Sequence, residues 1–379
     1  MPAQNKPSQE ELFIGLLSGT SRDGTDLALV SFEDDKPALV SSACFPYSTE
    51  LADALRAAIE SGQRPDKQTL NMLDRQLGEF FASCVHKLLH DADVYYQKVK
   101  AIGSHGQTVW HEPPESIQLG DPALIASKTG IMTIGRFRQP DLEAGGEGAP
   151  LAPLIHRAML RPEHGQRGIL NLGGIANLTL LDARGNVSGY DTGPANCLLD
   201  GWIRRNKGEA FDRNGQWAGT GKPIIPVLMT LLEDPWFSRP PPKSTGVEYF
   251  HLKWLEQKVQ LEGFAPEDIQ ATLSELTARS VANEIPDQVS EVLICGGGIH
   301  NDDLLRRLKA ARPDCTFEST LTAGIDPDAV EAMLFAWLAR ERLLEHAQDT
   351  TSITGARHPV LLGSLYQPEQ SDRSSGLVG

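Results

Sequence analysis

No stretch of this sequence approaches the roughly 20 consecutive apolar residues that a membrane-crossing helix needs, so a helical membrane protein is not expected. Cysteine is scarce. Cys44, Cys84, Cys197, Cys295 and Cys315 are scattered, odd in number and form no C-x-x-C pair, which argues against a disulfide framework, a zinc site or a dithiol redox centre. Reduced thiols and a cytoplasmic location fit that usage, and the polar start MPAQNKPSQEEL lacks the apolar core of a signal peptide. Positive charge is also in short supply. Lys and Arg total 35 against 50 Asp and Glu, a net charge of −15 that opposes non-specific binding to nucleic acid or anionic membrane. An anionic ligand must then be held locally, by backbone N–H groups, helix N-termini or a bound cation. The G-x-x-x-x-G-K-[ST] phosphate loop and the loops of protein kinases are missing as well.

What is present is ordinary for a globular protein, 40% apolar and 22% charged, but 379 residues exceed what one hydrophobic core usually supports. Two domains are expected. Near the start, Leu12 to Leu17, a polar Gly loop (SGTSRDG) and Leu27 to Phe32 read as strand, loop, strand; near the middle, Ile169 to Leu172, Gly173-Gly174 and Ala176 to Leu181 repeat the pattern. Two such hairpins, each opening about half of the chain, suggest related domains facing across a cleft. Helical spacing marks 49–60, 69–90, 194–206, 222–232, 269–285 and 328–344, with β-prone Val292 to Cys295 between the last two. Strands alternating with helices predict an α/β fold. The proline-rich 234–246 (DPWFSRPPPKSTG) is expected to be irregular.

Three glycine clusters are candidate nucleotide contacts. In Ser18 to Asp26, the backbone of Gly19, Thr20, Ser21, Arg22, Asp23, Gly24 and Thr25 offers amides and hydroxyls to phosphate, with Asp23 and Asp26 as candidate Mg²⁺ ligands through water; a hairpin turn explains the same residues equally well. Asn171, Gly173, Gly174 and Asn177 form an uncharged second loop. Gly296, Gly297, Gly298 and Asn301 follow an apolar run and precede a helix start, where missing side chains leave room for a base or ribose.

The strings SGTSRDG, GSHGQTVWHEP, IQLGD, GGEGAPLAP, LNLGGIAN, YDTGPAN, PPKSTG, LTA and CGGGIHN, in that order from Leu12 to Tyr366, resemble the anhydro-N-acetylmuramic acid kinase family. The resemblance implies a two-domain actin/hexokinase-like (ribonuclease H-like) fold with a central nucleotide cleft, ATP and Mg²⁺ as cofactors, and a homodimer. It further implies that water opens the 1,6-anhydro bond of the sugar while ATP phosphorylates the released oxygen, giving N-acetylmuramic acid 6-phosphate. On this basis 11–150 is expected to carry the first phosphate loop and the sugar loops. The stretch 151–366 carries the second hairpin, the catalytic Asp and the adenosine loop, with the C-terminal helix free to return to the first domain. Segments 1–10 and 367–379 are expected to be disordered or mobile.

Asp191 matches the family's base. Spacing alone leaves that role level with capping a helix that starts at Pro194. Glu331 matches a second, catalytic carboxylate near the substrate that would orient water or a sugar hydroxyl, against an exposed, solubilising Glu. His105 and Gln107 match the readers of sugar hydroxyls, and Arg138 a partner for the lactyl carboxylate. Arg22, Arg136, Glu143 and Glu147 depart from the family pattern, the last three around the sugar loops. A nucleotide-driven switch of the actin or Hsp70 kind and a kinase for another amino sugar are the competing readings.

Overall fold

The computed structural model describes residues 11–19, 24–33, 35–60 and 63–368. Expectations for Thr20, Ser21, Arg22 and Asp23, and for 1–10 and 369–379, lie outside the described residues.

Two sheets follow one plan. In the first, β1 (Glu11–Ser18), β2 (Gly24–Glu33) and β3 (Lys36–Pro46) form an antiparallel meander. On the other side of β1, β4 (Val99–Glu112) joins parallel; β5 (Glu115–Leu119) folds back on β4, and β6 (Thr133–Gly135) pairs parallel beyond it. In the second sheet β7 (Gln166–Leu172), β8 (Ile175–Asp182) and β9 (Val187–Pro194) form the meander, and β10 (Glu291–Cys295) and β11 (Thr316–Ser319) add in parallel beside β7. A meander followed by parallel strands on the far side of its first strand, made twice, is the two-domain actin/hexokinase-like, ribonuclease H-like α/β architecture. The last strand, β12 (Ser364–Tyr366), pairs with β6 at the edge of the first sheet.

Alternation along β1 assigns its two faces. Leu12, Ile14 and Leu16 pack with Leu73, Leu77 and Phe81 of α2 (Lys67–Asp91), which with α1 (Thr49–Glu60) and α3 (Pro122–Thr129) covers the outer face. Phe13 and Leu17 face inward. There α4 (Gln139–Glu143) leads to α5 (Ala152–Met159), which packs on β8, β9 and α12 (Val330–Leu343). One apolar cluster runs from Phe13 and Ile134 through Leu154 and Trp337 to Leu293, so a single core joins both sheets. The second sheet's other face is covered by α10 (Pro266–Glu284) and α11 (Asp302–Ala311). Outside it, α6 (Asn196–Lys207), α7 (Gln216–Thr220), α8 (Ile225–Leu232) and α9 (Leu252–Lys258) enclose Phe250 and Trp254.

The position of α12 depends on glycine. A Cβ on Gly15 of β1 would lie 1.7 Å from the Ala332 carbonyl oxygen, and one on Gly103 of β4 1.9 Å from that of Phe335. The helix therefore rests directly on the strand backbones, apolar and buried on all sides from Val330 to Ala339 apart from Glu331.

Some helix starts differ from expectation: α8 begins at Ile225 rather than 222, α10 at Pro266 rather than 269, and α6 later than 194. The helix expected from Pro194 starts at Asn196, because β9 takes Pro194 as its last residue. β9 is an edge strand, where a residue without an N–H costs no ladder bond. Segment 234–246 is irregular, as its prolines predict.

Candidate functional site

A cleft of about 430 Å³ opens between the sheets, lined by the end of β1, by β4, the β7–β8 turn, β9, the loop after Lys243 and the first turns of α12. Asp191, Glu331, His105, Gln107, Arg138, Gly19, Asn171, Gly173, Gly174 and Asn177 all reach it.

Asp191 owes its aim to a bulge. Asn177 pairs with Asp191 and Ala176 with Gly193, so Thr192 is an extra residue in β9. Gly193 takes a φ of +143°, and a Cβ there would lie 2.8 Å from the Phe237 ring. The helix-capping alternative is excluded: Asp191 sits within the strand, and Ala195 occupies the N-cap of α6 without a side-chain bond. Instead Asp191 Oδ2 accepts from Thr245 N at 2.8 Å and Ser244 Oγ at 3.1 Å, while its own N–H donates to the Lys243 carbonyl. At 6% exposure, burial pushes its carboxyl up to about 7 against the opposing pull of those two donors and Arg138. A carboxylate poised there is suited to take a proton at neutral pH.

The exposed, solubilising role weighed for Glu331 does not hold. Its carboxylate accepts from Asn171 Nδ2 at 3.1 Å, a bond from the second sheet to a helix seated on the first. Burial and the nearby Asp26 charge raise its pKa, while Asn171 and Arg138 act against the rise. Two mutually repelling carboxylates, Glu331 in the cleft wall and Asp26 beside it, fit Mg²⁺, which commonly takes one or two carboxylates and keeps its waters. Among the described residues no group of three or more His, Cys, Asp or Glu forms a fuller metal cage.

His105 is also at a bulge. Leu16 pairs with Ser104 and Leu17 with Gly106, leaving His105 extra, and Gly106 takes a φ of +79°. Its Nδ1–H donates to the Gly106 carbonyl, and its Nε2 accepts from Arg138 Nε at 3.1 Å. Burial and Arg138 hold the ring neutral, its pKa down to about 3. His105 thus orients Arg138, whose own pKa burial lowers to about 10, leaving it cationic near neutrality. Gln107 differs from the expected sugar reader: its Oε1 lies 2.5 Å from Ser18 Oγ and its Nε2 donates to Thr108 and Gly19 carbonyls, so it ties β4 to the end of β1.

The glycine loops divide. A Cβ added to Gly173 would make only ordinary contacts, and one added to Gly297 would have no atom within 4 Å, so both leave bare backbone open, Gly173 in the cavity wall and Gly297 outside it. Others serve packing: a Cβ on Gly24 would meet the Phe45 carbonyl at 2.5 Å, and on Gly298 the Leu172 Cβ at the same distance. Gly296 turns at φ +79° against Asn171 and Leu172. Thr25 bonds the Leu17 carbonyl, and Asn301 caps α11 through Leu304 N; neither lines the cavity. The turn carrying Gly296 to Gly298 still lies at the cleft end of the sheet, since Cys295 pairs with Asn171. Arg136, Glu143 and Glu147 line none of the cleft, so these departures fall outside the cavity wall. Ser244, Thr245, Glu248 and His111 also line the cleft without having been expected there; PPKSTG and SHGQTVWH held the signal for Ser244, Thr245 and His111, and Glu248 lies two residues beyond.

A sequence profile described as anhydro-N-acetylmuramic acid kinase matches residues 11–368. Proteins of that name from Xanthomonas axonopodis pv. citri and Pasteurella multocida are 46% and 42% identical, over 94% of this chain and 98% and 97% of theirs. Likeness to solved structures is looser: a ROK family glucokinase from Streptomyces griseus aligns over 87% of this chain and 99% of its own, at 14% identity and a TM-score of 0.39. The cleft therefore belongs to a chain whose sequence is related nearly end to end, and the chain is a member of the anhydro-N-acetylmuramic acid kinase family.

Proposed function

We propose that the protein is an ATP-dependent kinase that hydrolyses the 1,6-anhydro bond of 1,6-anhydro-N-acetylmuramic acid and yields N-acetylmuramic acid 6-phosphate, a step of peptidoglycan recycling. Asp191 carries the reading: a buried carboxylate in the cleft, raised to about 7, with Oδ2 fixed by Ser244 and Thr245. It takes a proton from water as the water oxygen bonds to the anomeric carbon and the bond from that carbon to O6 breaks. The released O6 accepts the phosphoryl group. When bound, Mg-ATP supplies that group and the cation that offsets its charge. Asp26, Glu331 and, outside the described residues, Asp23 would hold the cation. The backbone at Gly19, Gly173 and Gly174 would hold the phosphates, and the turn at Gly297 the adenosine. Arg138 binds the sugar's lactyl carboxylate, oriented by His105. Family likeness supports a cytoplasmic homodimer, and no helix among the described residues is long and apolar enough to cross a membrane.

Incubation with Mg-ATP and 1,6-anhydro-N-acetylmuramic acid tests this directly. A reducing sugar phosphate formed in step with ADP is expected. ADP release with no sugar phosphate would instead favour a nucleotide-driven switch.

A further inference from the structure

His111 is a polar group in the cleft wall that the reaction above leaves without a task. It lines the cavity, yet its Nε2 is buried and has no hydrogen-bond partner. The other ring nitrogen is engaged. Nδ1 lies 2.9 Å from Ser116 Oγ, and that hydroxyl in turn accepts from Gln118 Nε2 at 2.7 Å. Ser116 keeps its hydroxyl proton while accepting from Gln118, so it can donate to Nδ1, and in that tautomer the neutral ring carries its own proton on Nε2, toward the cavity. Strand pairing builds in this relay: His111 on β4 stands opposite Ser116 on β5, and Thr108, which also takes a bond from Gln118, stands opposite Gln118. Burial and the Arg138 charge keep the ring neutral, with a pKa down to about 3.

A buried N–H with no acceptor is costly unless something else supplies the acceptor. The neighbouring donor points to its nature. Arg138 is close enough for its charge to act on His111; its Nε is spent on His105, and its terminal amino groups make no hydrogen bond among the described residues. The carboxylates of Asp191, Glu248 and Glu331 act on Arg138 through space. A guanidinium edge and a ring N–H lining the same cavity call for a group that only accepts, and a carboxylate is such a group.

We propose that His111 is a substrate-binding residue that donates its Nε2–H to the sugar's carboxylate, completing with Arg138 a two-residue carboxylate receptor. This rests on the reading of the cleft as a muramic acid site. It makes Gln118 and Ser116 positioning residues for the donor and gives the enzyme a means of rejecting the same anhydro sugar without its lactyl ether.

The test compares 1,6-anhydro-N-acetylmuramic acid with 1,6-anhydro-N-acetylglucosamine, by kinetics and by calorimetric binding, on the wild type, His111→Phe, His111→Gln and Ser116→Ala. His111→Phe is expected to raise KM and Kd for the acid sugar roughly 10- to 100-fold, the worth of one charge-assisted hydrogen bond. Binding of the carboxylate-free sugar should hardly change, and kcat for the acid sugar should be little affected, as for a contact made equally in ground and transition states. His111→Gln, which keeps an N–H near the Nε2 position, should recover most of the loss. Ser116→Ala leaves the ring in place, and should weaken only the acid sugar. An equal loss on both sugars, or unchanged affinity for the acid sugar in both His111→Phe and Ser116→Ala, would overturn the proposal. A wild-type protein that binds the acid sugar without turning it over would defeat the kinase reading alone, because the binding comparison still decides the role of His111.

Discussion

Asp191 shows how a single residue can be tuned for chemistry at the expense of stability. Its folded pKa of about 7 lies above the ordinary 3.8, so folding favours the protonated form. The stability this contributes is full below 3.8 and is lost as pH rises through about 7. Asp191→Asn removes the buried charge while keeping an oxygen for Ser244 and Thr245. Thermal unfolding at pH 8 should therefore show the variant at least as stable as wild type, with the difference shrinking below pH 7. Turnover should fall roughly 10²- to 10⁴-fold, the usual worth of a general base. Wild-type kcat/KM should decline as pH drops below about 7. A variant that kept turnover but melted earlier would refute the base. Residue types in this site were legible from sequence, but their commitments were not. Gln107 carries the right groups for a sugar reader and spends them on Ser18 and Gly19. The partners of Asp191 come from a loop more than 50 residues downstream, a distance that no local pattern spans.

Among the elements, the irregular loop before α9 matters most to that base. Lys243 anchors it: its buried ammonium pairs with Glu284 at 2.8 Å, donates to the Phe237 carbonyl and lies 4.9 Å from the Trp236 ring centroid. Its carbonyl and the next two residues hold Asp191. Lys243→Met should cost no more than about 3 kcal/mol, since Glu284 keeps some contact with water. It should also move the acid limb of kcat/KM upward, because the donors that restrain the Asp191 pKa loosen. A stability loss with an unmoved limb would make Lys243 purely structural. Glycine substitutions separate support from ligand contact. Gly103→Ala drives a methyl into the Phe335 carbonyl and should cost about 1–3 kcal/mol or more in urea unfolding. Gly297→Ala meets no atom within 4 Å, so stability should hold while KM for ATP rises. The sequence revealed the hairpins and long helices through their periodicity. It concealed β9, whose YDTGP reads as a helix start until the strand's edge position admits the proline.

For the whole molecule, the shared core decides how the halves behave. The cluster from Phe13 through Trp337 to Leu293 crosses from one sheet to the other, so calorimetry should record one cooperative unfolding transition. A magnesium complex of a non-hydrolysable ATP analogue at 100 times its Kd should shift that transition by about 2.7 kcal/mol. Two separable transitions would mean that the cluster does not couple the halves. The repeated hairpin made the double architecture legible in advance. The return of α12 and β12 to the first sheet depends on Gly15, Gly103 and the β6 edge, contacts that only the folded chain brings together.

The Asn171–Glu331 hydrogen bond would couple any opening of the cleft to a proton. Separation of the sheets would take the Asn171 amide away from Glu331 and return its carboxylate to water, while Asp26, on the same sheet as the helix that carries Glu331, would stay beside it; relief of burial, the largest cause of the raised pKa, would lower it. Opening then sheds a proton and closing takes one up, between the carboxylate's ordinary pKa and its raised one. The heat of sugar binding measured in buffers of different ionisation enthalpy should therefore vary with the buffer, reporting the motion without any label on the protein.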